Sequence, residues 1–420
     1  MGEERNRAGG GAGPVAYSWV VFALTFGLLI SDYMARQVLN AVFPLLKAEW
    51  ALSDSQLGAL SGVVALMVGL LTFPLSLLAD RWGRIKSITL MAILWSIATL
   101  LCGLARSYEE MLVGRIFVGI GEAAYGSVGI AVVLSVFPVR MRATLASAFI
   151  AGGLAGQVLG VSIGGWVAEA HGWRTAFNFI ALGGLILALA YPLVVRQTRI
   201  EALGAPLAKS MTARPPIRSV IANRAVVFAY MGSGLQYYVV GALPAWLPTF
   251  FGRYYNMPVA KAASVAAIFL MIAGAGMVLC GIITDRIAKT RPGAPPLLGV
   301  GFCLGSASAL GLAFLSPAGT AQLVLLGIGA FLCAASTGPT GAMVANLTPL
   351  AIHGTAFATL TLANNILGLA PGPILTGRFA DSLGLLGALQ LLPIAAVGAA
   401  LAFYAAHKRY EDDLLGLSSD

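Results

Sequence analysis

The sequence predicts an all-α membrane protein of twelve transmembrane helices arranged as two pseudo-symmetric six-helix bundles. Three observations carry this. Only 10% of the 420 residues are charged and 58% are hydrophobic, against about 25% charged in ordinary globular chains. Apolar runs of the ~20 residues that a bilayer core requires recur along the whole chain. Glycine contributes 51 residues, roughly twice its usual share, and small residues let membrane helices approach closely.

The apolar segments are 16–44, 55–78, 86–105, 109–134, 142–168, 174–194, 225–250, 259–283, 294–315, 320–346, 354–376 and 386–406. The longest polar interval, 196–224, separates the sixth from the seventh and reads as a basic cytoplasmic linker. The expected organisation is a cytoplasmic tail (1–15), a first bundle (16–195), the linker, a second bundle (225–406) and a cytoplasmic C-terminal tail (407–420). Residues 1–15 show neither a cleavable signal peptide nor a myristoylation pattern. With both termini inside, cytoplasmic segments hold 18 Lys and Arg and the opposite loops 6, a threefold bias in the sense of the positive-inside rule. The expected location is the cell (inner) membrane, with the bilayer as partner and a monomer as the working unit.

The +9 net charge punctuates loops and forms no basic face, so nucleic acid is not an expected partner. Cys102, Cys280, Cys303 and Cys333 sit in apolar segments and read as packing residues. No metal site or cofactor is expected from the three scattered histidines, and no nucleophile–base constellation suggests an enzyme.

The halves echo each other. FPVRMRATLASA (137–148) matches TPLAIHGTAFAT (348–359), GWVAEAHG (165–172) matches GRFADSLG (377–384), and ADRWGRIK (79–86) matches TDRIAKTR (284–291), all at offsets of 205–212 residues. A duplicated six-helix half with a basic linker is a plan of alternating-access transporters.

SLLADRWGRIK (76–86) joins the second and third segments. It resembles the loop signature of the major facilitator superfamily, Gly-x-x-x-Asp-Arg-x-Gly-Arg-Lys. Asp80, Arg81, Gly83 and Arg84 fit it; Ser76 replaces the first glycine and Ile85 intervenes before Lys86. The second copy, GIITDRIAK (281–289), contributes Asp285 and Arg286. A charge cluster of this kind can hold one conformation and release in the other. The resemblance implies two bundles around a cavity that opens alternately to each side.

Ionisable groups at membrane depth cost about 2.5–3.5 kcal/mol even on the milder scales, so they mark a function or a partner. The first segment holds Asp32 and Arg36, spaced i, i+4 to pair on one face; the fourth holds Arg115 and Glu122, two turns apart. All four are expected to converge on the cavity, where a carboxylate could exchange a proton for a guanidinium, or an arginine could grip an anionic substrate.

SDYMARQVLNAVFPLLKAEWALSDSQLGALSG (31–62) and GRIFVGIGEAAYGSVG (114–129) resemble the Spinster-type branch of the superfamily. Tyr33, Arg36, Gln37, Gly119, Gly121, Glu122 and Ala123 match. The acid that branch carries just before Arg36 is Ala35 here; Asp32 stands three positions earlier, where the branch has Asn, about 60° round the helix from position 35. This resemblance implies proton-coupled movement of a lysophospholipid-like substrate; other branches move small organic anions. AGQVLGVSIGG (155–165) partly resembles the antiporter motif, with close helix packing by Gly156, Gly160, Gly164 and Gly165 as the plainer reading. The remaining cavity candidates are Tyr125, Gln236, Tyr237, Tyr238, Trp246, Thr337, Asn364 and Asn365, with Pro244 and Pro248 bending the seventh segment.

The expectation is therefore a proton-coupled secondary transporter of an amphipathic, lysophospholipid-like molecule. A small-carboxylate symporter and a multidrug/proton antiporter are alternatives on the same fold. A passive channel or a transport-like receptor is the alternative of another class.

Overall fold

A computed structural model describes residues 16–202, 223–349 and 352–417. The expected tail 1–15 and most of the linker lie outside them. The described chain is helical: α1 (Ala16–Trp50), α2 (Asp54–Trp82), α3 (Arg84–Leu104), α4 (Tyr108–Glu122), α5 (Tyr125–Ser135), α6 (Arg142–His171), α7 (Trp173–Val194), α8 (Gln197–Ala202), α9 (Arg224–Tyr255), α10 (Val259–Thr290), α11 (Pro295–Leu315), α12 (Thr320–Cys333), α13 (Thr337–Leu347), α14 (His353–Asn364), α15 (Pro371–Leu389) and α16 (Leu392–Leu417). A π-helical turn, Asn365–Leu369, links α14 to α15.

Each of the twelve apolar segments falls on helix. Among the described residues ten stretches are long and apolar enough to cross a membrane. The last two segments fall on the pair His353–Leu389 and Leu392–Leu414, bent by 71°, which together would make an eleventh. α16 continues as helix to Leu417, through most of the stretch expected to be a tail.

Local signals explain where helices start and break. Ser53 and Gln56 form a capping box at the start of α2, and Asn223 accepts from the amides of Ala225 and Val226 at the start of α9, each supplying acceptors for otherwise orphaned donors. The fourth apolar segment breaks directly after Glu122, giving α4 and α5; the tenth breaks at 334–336, giving α12 and α13. Thr72 Oγ1 donates 2.7 Å to the Ala123 carbonyl at the first break, so a backbone group freed in an apolar setting keeps a partner.

The duplication is visible in backbone conformation. Gly172 and Gly384, equivalent in the echoed sequences, have φ of +86° and +74°. Ala51 and Asn256, 205 residues apart, end α1 and α9 at φ +51°. The first half packs through α1 on α6 and α3 on α4 and α7; the second packs through α9 and α11 on α16. The halves meet where α2 crosses α15 and α6 crosses α10. Gly156, Gly160 and Gly164 bring α6 against Ile30, Met34 and Val38 of α1, so the antiporter-like glycines do serve helix packing here. All four cysteines are buried thiols. Large apolar side chains such as Ile186, Leu193, Leu315 and Leu401 lie exposed, as a lipid-facing surface requires.

A Cβ on Gly276 would overlap the Phe331 carbonyl of α12, whereas one on Gly183 would meet nothing. Backbone cannot yield as a flexible side chain can. Gly276→Ala is therefore expected to cost about 1–3 kcal/mol and lower the melting temperature in detergent by several degrees, while Gly183→Ala leaves it within error.

Candidate transport cavity

A cavity of about 300 Å³ lies between the halves. Its first wall is polar: Tyr33, Arg36, Gln37 and Asn40 of α1, Ser61 of α2 and Gln157 of α6. The opposite wall is mainly apolar, with Leu243 and Leu247 of α9 and Phe269, Leu270 and Met277 of α10. Tyr237 and Thr337 add polar tips there, their hydroxyls 3.4 Å apart.

Arg36 anchors the polar wall. Its Nη2 lies 2.8 Å from Glu122 Oε2, and its Nε donates to the same oxygen at 3.0 Å. The Glu122 side chain is fully buried, while that of Arg36 keeps 19% exposure, so the guanidinium bridges the protein interior and the cavity. Its cationic carbon stands 5.3 Å from the Tyr33 ring centroid, within cation–π range. Further along α1, Asn40 donates to Gln37 at 2.6 Å, Ser61 donates to Asn40 at 3.0 Å, and Gln37 reaches Gln157 at 3.4 Å.

The partnership within the first bundle differs from the i, i+4 expectation. Arg36 pairs with Glu122 on another helix, not with Asp32. Asp32 is buried and interacts with both members of that pair. Its Oδ1, like Glu122 Oε1, is buried without a hydrogen-bond partner. The two carboxyl groups lie close enough to interact, and each has one buried oxygen without a donor.

Arg115 does not line the cavity. It is fully buried and donates to three carbonyls, those of Leu60 at 3.2 Å, Ala35 at 3.0 Å and Arg36 at 3.1 Å. The planar guanidinium matches this fork and ties α4 to α1 and α2.

Several other expected cavity residues also lie elsewhere. Tyr125 donates to the Thr25 carbonyl and meets Trp95 edge-on. Gln236 donates to the Cys333 carbonyl at 3.0 Å. Tyr238 approaches Thr376 at 3.5 Å. Trp246 donates to the Pro373 carbonyl and packs on Phe43. Asn364 and Asn365 flank the start of the π-turn, where Asn365 donates to the Thr361 carbonyl at 2.9 Å. None of these six lines the cavity, whereas Tyr33, Arg36, Gln37, Tyr237 and Thr337 do.

In the loop motif, Asp80 and Arg84 sit 3.5 Å apart across Gly83, whose φ of +98° only glycine adopts freely. Arg81, and Asp285 and Arg286 in the last turns of α10, are exposed. Sequence reasoning missed Asn40, Ser61 and Gln157. Asn40 was legible, lying three and four residues beyond Gln37 and Arg36 on one helical face. Gln157 lay inside the glycine motif, where only the glycines drew a reading.

Two helical halves meet around a cavity with one polar and one apolar wall, the plan of a membrane protein with an internal binding site. A family model described as Major Facilitator Superfamily matches residues 25–373, and the chain belongs to that family. Among its described residues ten helical stretches are long and apolar enough to cross a membrane, so it is a multi-pass member of that family. It is 27% identical over 278 residues to a protein of Escherichia coli (strain K12) named Probable L-galactonate transporter, covering 63% of this chain and 61% of that one. The chain thus matches a little under two thirds of that relative's length. It is 26% identical over 386 residues to Protein spinster homolog 3 of Danio rerio, covering 87% and 77%. The fold matches the crystal structure of a bacterial homolog to the human lysosomal transporter Spinster, in an inward-facing and occupied conformation. That match has a TM-score of 0.84 at 21% identity and covers 96% of this chain and 99% of that one. The superfamily expectation is met by the family match, and the fold is shared with a bacterial homolog of Spinster.

Arg115→Lys retains the charge but not the three-way fork. It is expected to lower stability by about 1–3 kcal/mol, seen as a fall in melting temperature. Ligand affinity in the folded fraction should stay unchanged, since Arg115 does not reach the cavity.

Proposed function

We propose that this transporter carries a small organic anion by alternating access, coupled to protons held at Glu122 and Asp32. The observation behind this is the Arg36–Glu122 pair at the cavity wall, beside two buried carboxyl oxygens without donors. A proton bound between Asp32 and Glu122 supplies the missing donor and removes a negative charge. Arg36 then loses its strongest partner and turns to a substrate carboxylate, for which its fork geometry suits it. Release of the substrate lets Arg36 return to Glu122 and expels the proton. Gln37, Asn40 and Gln157 offer hydrogen bonds to the rest of a polar substrate, and α9 and α10 cover its apolar side.

The cavity volume sits at the low end of the ~300–1,000 Å³ typical of small-molecule sites, which favours a compact anion over a lysophospholipid. The relation to an L-galactonate transporter points the same way. The apolar wall is what favours the lipid reading, since an acyl chain could leave the cavity along it. We place the protein in the cell (inner) membrane with both termini cytoplasmic. Asp54 and Arg253 join the halves at the end away from the termini, so the conformation here is read as inward-facing.

In proteoliposomes, labelled galactonate should accumulate saturably under an imposed inward proton gradient. Uptake of lysophospholipid and not of galactonate would overturn the substrate assignment. Glu122→Gln should abolish gradient-driven accumulation while preserving substrate counterflow; full gradient-dependent accumulation in that variant would remove Glu122 from the coupling. Arg36→Lys should raise KM at least about tenfold, equivalent to ~1.4 kcal/mol.

A further inference from the structure

The ends of α2 and α10 nearest the loops at Ala51 and Asn256 share an arrangement that neither helix could make from its own half. Asp381 of α15, three residues before the kink at Gly384, accepts from the backbone amides of Asp54 at 2.7 Å and Ser55 at 3.0 Å, the first two of α2. Glu169, near the end of α6, accepts from the amide of Ala260 at 2.7 Å, the second residue of α10. α2 belongs to the first half and α15 to the second; α10 belongs to the second and α6 to the first. Glu169 and Asp381 occupy the same place in the echoed sequences GWVAEAHG and GRFADSLG, and Asp54 and Ala260 stand 206 residues apart. The duplication has therefore produced two equivalent caps, each lent by one half to the other.

The caps fill a deficit that local sequence leaves. At α2, the Ser53 side chain accepts from the amide of Gln56 and meets the Ser55 hydroxyl, leaving the amides of Asp54 and Ser55 to Asp381, and at α10 the N-cap position is Pro258, which makes no side-chain cap. First-turn amides lack partners within their own helix, and a carboxylate is favoured there by the helix dipole. On α2 an ion pair adds to the cap: the side chain of Asp54, 4% exposed, takes Arg253 of α9 at 2.6 and 2.8 Å and Lys47 of α1 at 2.6 Å. The Asp381 and Glu169 caps and the Asp54–Arg253 pair, which all cross between the halves, lie at this one end.

We infer that Asp381 and Glu169 form a reciprocal pair of helix caps that latches the halves together at this face, and that opening the face requires both carboxylates to leave the partner half's amides. The equilibrium between the two orientations is then set at this face as well as in the cavity. The inference rests on alternating access and is independent of which substrate is carried.

The test is a distance measurement in lipid vesicles without substrate. Spin labels at Arg106 and Ala318, exposed loop positions of the two halves, are introduced after replacing the four cysteines. Asp381→Ala and Glu169→Ala are both surface substitutions. Each should raise the ratio of long to short separations several-fold, and the double variant by the product of the two, at least about tenfold. Glu49→Ala is the control: it removes a carboxylate that bonds Trp173 and Arg174 within the first half, and it should leave the distribution unchanged. The latch is overturned if neither cap substitution shifts the distribution, or if Glu49→Ala shifts it as much. A shift with only one cap would reject the reciprocal pairing. Because no substrate is present, a failed galactonate assay leaves this result untouched.

Discussion

A guanidinium and a carboxylate that meet out of bulk water are committed to each other until something replaces one of them, and the first half of this protein is arranged around that commitment. Glu122 has no water contact and Arg36 only a little. Separating them with nothing in exchange would leave an uncompensated charge, at a cost of several kcal/mol. The surroundings hold the pair in place. α4 ends at Glu122, Arg115 ties that helix to the backbone of α1 and α2, and Thr72 satisfies the carbonyl at the break. A proton on the carboxylate or an anion at the guanidinium would each relieve the pair. An ion pair with a single exposed member is directional in that sense.

Symmetry of backbone and asymmetry of chemistry coexist in the chain. The halves repeat each other down to the positive φ of Gly172 and Gly384 and the breaks after Glu122 and Cys333. The charges at cavity depth nevertheless belong to one half. The second half retained the shape and contributes leucines, a phenylalanine and a methionine to the wall. Duplication supplied two similar helical frames, and the ionisable groups at the cavity are present in only one of them.

What was legible in the sequence follows from which forces are local. Spans, loops and the duplicated plan could be read because bilayer thickness and loop charge act on each segment separately. Family signatures identified Arg36, Gln37 and Glu122. Helix phase was not legible. In α9 the run Gln236, Tyr237, Tyr238 turns about 100° per residue, so three adjacent polar side chains look in three directions and only Tyr237 meets the cavity. Trp246 lies two and a half turns further on, on the opposite side. Likewise i, i+4 spacing allowed Asp32 to pair with Arg36, but a carboxylate on a neighbouring helix was closer in space, a tertiary fact that spacing along one helix does not contain. Arg115 misled for the same reason. Its burial marked it as important, and only the three carbonyls around it show that its role is to join helices.

The division of the cavity into two walls of different chemistry also bears on how such a protein changes over generations. Leu270, Met277 and Phe269 line the cavity without bonding to the ion pair across it, so a volume-conserving exchange for another apolar side chain leaves that pair in place. Such exchanges reshape what fits without touching the Arg36–Glu122 pair. A lineage built this way can change its diet while leaving its engine alone.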